Sequence, residues 1–138
     1  MADDNHDSLN DAKKLFKVIA IDLDGVLAHF ELGWKGGAFI DRPLVGAAEF
    51  TEKLRLNGWK IIIFTTRFRT DVVEKWLLEH GIAFDTINKN IYDIAEESDK
   101  VVADVYLDDR AVKFTGDYMA AFYDVERFKP WYFKEAEH

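Results

Sequence analysis

The sequence contains no cysteine and only two prolines in 138 residues. A disulfide framework, a thiolate zinc site and a cysteine nucleophile are therefore excluded at the outset. Histidine is scarce too: four residues, at positions 6, 29, 80 and 138, without the spacing of an imidazole metal site. Long apolar runs are missing. The longest, Tyr118 to Tyr123, falls far short of the roughly 20 residues that a membrane-spanning helix needs. The opening stretch MADDNHDSLNDAKK lacks the basic start, apolar middle and small-residue cleavage site of a secretory signal, so a soluble cytoplasmic protein is expected. Positive charge is in deficit, 18 Lys and Arg against 26 Asp and Glu, a net −8. Such a surface repels a phosphate backbone unless a basic patch or bound cation intervenes, and non-specific nucleic-acid binding is not expected.

What remains is apolar material for one core, 49% hydrophobic and 14% aromatic, in a chain too short for two full domains. Residues 1–14 show no apolar periodicity and read as a flexible acidic tail, leaving residues 15–138 as a single domain. Phe16 to Ile21 is a β-branched run ending at Asp22, the pattern of a buried parallel strand. Asp41-Arg42-Pro43 signals a helix start, with Leu44, Ala47, Ala48, Thr51 and Leu54 at helical spacing and Gly58 as the stop. Trp59 to Phe64 predicts a second strand. A helix capped by Thr70 follows, presenting Val73, Trp76, Leu77 and His80 on one face before Gly81. Ile82 to Ile87 and Asp104 to Leu107 predict two more strands. A last helix from Asp117 is expected to carry Tyr118, Phe122 and Val125 inward, and the aromatic stretch 128–133 to pack back on the domain. This alternation predicts a doubly wound α/β domain, a parallel sheet between helical layers.

In such a sheet, ligands bind outside the carboxyl ends of the strands. Three strands end in polar residues: Asp22-Leu23-Asp24-Gly25, Thr65-Thr66-Arg67 and Asp108-Asp109-Arg110, with Lys100 just before the last of them. Four carboxylates at one sheet edge repel and raise one another's pKa, and a divalent cation removes that cost. With oxygen ligands only, Mg²⁺ fits best. A cation there bridges a dianionic phosphate and an anionic nucleophile, which makes phosphoryl transfer the natural chemistry. Asp22 would attack phosphorus and form an aspartyl-phosphate. Asp24 would protonate the leaving oxygen and then deprotonate the water. Gly25 permits a tight turn beside the phosphate, Thr65 offers a hydroxyl, and Lys100 a positive charge. Thr66 and Arg67 either cap the next helix or reach substrate, and Lys89 competes with Lys100. A calcium loop fails, because its fifth, sixth and twelfth positions fall on Val26, Leu27 and Gly33.

On these residues the chain resembles the haloacid dehalogenase-like hydrolase superfamily. Val18 to Val26 matches the first motif, Ile61 to Thr65 the second, Lys100 the third and Val105 to Asp109 the fourth, in the family's order. The stretch Asp99 to Arg110 is similar to the deoxyribonucleotidase-related branch. The resemblance implies Mg²⁺-dependent phosphatase activity, the ion held by the Asp22 carboxylate, the Asp24 main-chain carbonyl and Asp108 or Asp109. Asp24 favours phosphomonoester hydrolysis over other branches. Neither inter-motif gap fits an independent cap domain, which leaves only a Gly-rich flap at about 28–42, a specificity element or an oligomer contact. An open site suits a bulky phosphoester, or a small one closed over by a partner. The contrasting reading is a non-catalytic phospho-acceptor or scaffold, similar in logic to receiver domains. Receivers, however, place the acid pair first and the lone acceptor later.

Overall fold

The computed structural model describes residues 17–92 and 99–133. The expected tail at 1–14 lies outside them. Four strands, β1 (Lys17–Ile21), β2 (Trp59–Ile63), β3 (Thr86–Ile87) and β4 (Val105–Leu107), form one all-parallel sheet in the order β3-β2-β1-β4. Three helices accompany them: α1 (Ala47–Leu56), α2 (Thr70–Glu79) and α3 (Tyr118–Glu126).

The residue pattern explains the layering. Side chains alternate across a strand, and β1 is apolar at both parities because both of its faces are covered. Ile19 and Ile21, with Ile61 and Ile63 of β2, face Ala47 of α1 and Val73, Trp76 and Leu77 of α2. Val18, Ala20 and Ile62 face the other way, onto Val101, Ile91, Tyr92 and Ala103 of the β3–β4 connection. Right-handed crossovers dictate this split. Two successive steps in one direction put α1 and α2 on one face, and the return past β1 to β4 must cross the other. The winding therefore reverses between β1 and β4, where an open α/β sheet leaves its ligand crevice.

Strand entries carry their own locks. Asp85 donates its N–H to Ile61 O at 2.8 Å while its carboxylate accepts from Ile61 N at 2.7 Å. Asp104 repeats the pattern on Val18, both bonds 2.8 Å. Such double pairing ends a ladder without orphaned groups.

Four expectations need correction. The first helix starts at Ala47 rather than at Asp41-Pro43, entered through Gly46 at φ 92. Residues 42–44 pair instead with the post-β1 segment, His29 N to Arg42 O at 2.9 Å and Leu44 N to Leu27 O at 2.8 Å, so they are spent on that ladder. Thr70 is the first residue of α2 rather than its cap; Arg69 holds the cap position without a side-chain bond to the helix backbone. The third strand shrinks to Thr86–Ile87, because Ile82 stays tied to Leu77 O at 3.0 Å as the α2 exit. Finally, Asp117 does cap α3, accepting from Met119 N at 2.9 Å, but Tyr118, Phe122 and Val125 are all more than half exposed. Among the described residues, no helix is long and apolar enough to cross a membrane.

Candidate active site

Register builds the site. Ile21 pairs with Ile63 on one side and Leu107 on the other. Asp22 therefore emerges between Phe64-Thr65 and Asp108-Asp109, and it continues both ladders: Phe64 N to Ile21 O and Asp22 N to Leu107 O, each 2.9 Å. A cavity of about 340 Å³ opens at this edge, lined by Asp22, Asp24, Thr65, Thr66, Asp108, Asp109 and Arg110 together with Phe30 and Trp34 of the 28–42 flap.

Asp22, Asp108 and Asp109 each bring a carboxylate oxygen within 4.8 Å of the others. Desolvation pushes Asp22 up to about 8 from an ordinary 3.8, helped by its hydrogen bond to Asp109 and by the charges of Asp108 and Asp109. The Leu23 N–H, donating to Asp22 Oδ1 at 2.8 Å, opposes the shift without cancelling it. Three hard oxygen donors under mutual repulsion form a donor set that a divalent cation of the Mg²⁺ or Ca²⁺ type would relieve.

The carboxylate of Asp24 stands apart from this trio. Arg67 donates to it through both Nε at 2.8 Å and Nη2 at 2.9 Å, with its side chain 3% exposed and its guanidinium carbon 4.8 Å from the centre of the Trp34 ring. The sequence suggested Arg67 as a helix cap or a substrate contact; the buried fork instead fixes Asp24. Thr65 is held by Asn88, whose Oδ1 accepts from Thr65 N at 2.8 Å and whose Nδ2 donates to Thr65 O at 2.9 Å. Asn88 sits at φ 56, a conformation that asparagine tolerates better than most residues. The Asn88 clamp escaped sequence reading, although asparagine directly after an apolar strand was its signal.

Gly25 has φ +85, and a Cβ there would lie 2.3 Å from Asp109 Oδ2 and 2.8 Å from the Tyr132 ring. Its bareness makes room for the acid pair and for the C-terminal aromatic turn. Lys100 does not line the cavity; its ammonium lies 5.0 Å from the centre of the Tyr106 ring. Lys89 lines a separate hollow with Asp85 and Thr86. Arg110 lines the cavity, its side chain 62% exposed and its Nε 4.0 Å from Asp109 Oδ2.

Fold and crevice together define a parallel α/β domain of the Rossmann-like kind, with an acidic site at the winding switch. The chain is similar to a solved structure of a conserved protein from Bacteroides thetaiotaomicron, at TM-score 0.58 and 22% identity over 84% of this chain and 94% of that one. No protein-family model and no curated protein matches the sequence.

Proposed function

We propose that this protein is a Mg²⁺-dependent phosphomonoester hydrolase of the haloacid dehalogenase-like kind, working through an aspartyl-phosphate on Asp22. The observation that carries the reading is the juxtaposition, in one cavity, of Asp22, Asp24, Thr65 and the Asp108-Asp109 pair. Mg²⁺, when bound by Asp22, Asp108 and Asp109 with the Asp24 main-chain carbonyl, supplies the positive charge that keeps Asp22 ionised and lets a phosphate dianion approach it.

An Asp22 oxygen attacks phosphorus, and the bond from phosphorus to the leaving oxygen breaks as Asp24 gives that oxygen a proton. Asp24 then accepts a proton from water, whose oxygen displaces Asp22 and releases inorganic phosphate. Arg67 takes one lone pair on each Asp24 oxygen, which leaves the others for the travelling proton. Thr65 and Thr66 offer hydroxyls to the phosphoryl oxygens, and Arg110 adds a positive charge to the one expected of Lys100. Phe30 and Trp34 form an apolar wall for the remainder of the substrate.

Hydrolysis of an aryl phosphate by the full chain, with and without Mg²⁺ and beside Asp22→Asn, tests this. Magnesium-dependent turnover lost in the variant supports the hydrolase. A stable phosphoprotein without turnover, or no reaction at all, overturns it, the former in favour of a phospho-acceptor module.

A further inference from the structure

The C-terminal turn reaches the site from more than a hundred residues beyond the first acid motif. Phe133 N donates to Pro130 O at 2.9 Å, closing a turn with Trp131 and Tyr132 at its corner. Trp131 Nε1 donates to Gly25 O at 2.7 Å. The Tyr132 hydroxyl donates to Asp109 Oδ2 at 2.8 Å and accepts from Arg110 Nη2 at 3.2 Å, while its ring meets Phe30 edge-on at 6.2 Å. One turn thus touches the acid motif after β1, the flap and the acid pair after β4.

Asp109 explains why this contact matters. Its side chain is 2% exposed, and Arg110 Nε stays at 4.0 Å from Oδ2, beyond hydrogen-bond reach. A buried carboxylate needs donors, and Tyr132 provides one to a single oxygen. That bond restrains the rotation of the carboxyl group, whose residue also belongs to the cluster of Asp22, Asp108 and Asp109. The room for this arrangement exists only because residue 25 has no side chain.

We propose that Tyr132 is a positioning residue, which orients Asp109 toward a divalent cation, and that Trp131 anchors the turn carrying it to the Gly25 carbonyl. The inference rests on the reading of Asp22, Asp108 and Asp109 as a cation site. Removing an outer partner of a metal-ligating carboxylate weakens the metal by about ten- to a hundredfold. The C-terminal turn therefore completes the site rather than covering it.

Calorimetric titration of the full chain with Mg²⁺ alone decides the matter. Tyr132→Phe keeps the ring and its Phe30 contact and removes only the hydroxyl; it is expected to weaken Mg²⁺ by about tenfold. Turnover at saturating Mg²⁺ should fall by less than about threefold, and the metal-free melting temperature should drop only as far as the loss of one buried hydrogen bond accounts for. Trp131→Phe, a second and independent variant, should weaken Mg²⁺ by about threefold. In an Asp109→Asn background, Tyr132→Phe should add nothing, since its effect passes through that carboxylate. Affinity within twofold of wild type in Tyr132→Phe, or additive losses in the double variant, overturns the proposal. Wild-type protein that binds Mg²⁺ without hydrolysing phosphoesters sinks the hydrolase reading while the affinity comparison still decides the role of Tyr132. Wild-type protein that takes up no Mg²⁺ overturns both.

Discussion

Asp22 and Asp24 are two residues apart, yet their surroundings give them opposite electrostatics. Asp22 meets carboxylates, and desolvation with like charge favours its protonated form. Asp24 meets a guanidinium in bidentate geometry. In the proposed mechanism Asp22 would need a bound cation to be ionised, whereas the guanidinium fork fixes the orientation of Asp24. Arg67→Met tests the second environment, because it leaves Asp24 facing an apolar neighbour. Breaking a buried pair from one side costs about 3–5 kcal/mol, and the partial exposure of Asp24 at 16% places the expected loss near the lower end. Urea unfolding would register that loss. A loss under about 1 kcal/mol would mean that the ion pair is already hydrated.

At the scale of elements, one hydroxyl couples helix to sheet. Thr51 of α1 is fully buried, donates to Ala47 O at 3.0 Å, and accepts from Ala83 N at 3.0 Å in the chain leading to β3. Thr51→Val fills the same space but orphans the Ala83 N–H, for an expected cost of about 1–3 kcal/mol; Thr51→Ser, keeping the oxygen, should cost less by chemical denaturation. Gly25→Ala meets a fixed carboxylate and a ring at once, besides φ +85, so it should abolish the folded site rather than merely slow turnover. Circular dichroism alongside activity separates these outcomes.

What the sequence revealed follows from the same contacts. β1, β2 and α2 were legible because their burial is two-sided or strongly periodic, as in Val18 to Ile21 and in Val73, Trp76 and Leu77. Gly58 and Gly81 marked the true helix exits, each with positive φ. The start of α1 was misread because Asp41-Arg42-Pro43 carries capping chemistry that tertiary pairing with residues 27–29 overrides. The inward face of α3 was misread because its apolar residues have no core to meet among the described residues. Within the site, every carboxylate was found from its position after a strand. The Arg67 fork, the Asn88 clamp and the Tyr132 bond were not, since each joins residues 23 to 43 positions apart, a separation no local pattern encodes.

For the molecule as a whole, the acidic cluster ties stability to pH, and a cation bound there as proposed would tie it to cations as well. Without a cation, folded Asp22 holds its proton up to about 8, whereas the unfolded chain releases it near 3.8. Across that window the native state binds more protons. Stability is therefore highest below about pH 4 as far as this group is concerned, and it falls as pH rises toward 8. A divalent cation competes with that proton, so its stabilising effect should grow over the same interval. At a hundredfold excess over Kd, binding to the native state contributes about 2.7 kcal/mol. For a chain of this size that corresponds to a rise in melting temperature of roughly 5–11 °C. Calorimetric scans at pH 5 and pH 8, with and without Mg²⁺, should show a larger rise at the higher pH. Asp22→Asn should remove both the decline with pH and most of the response to Mg²⁺, since the amide neither titrates nor repels its neighbours. An equal Mg²⁺ response at the two pH values would show that the cation binds away from Asp22.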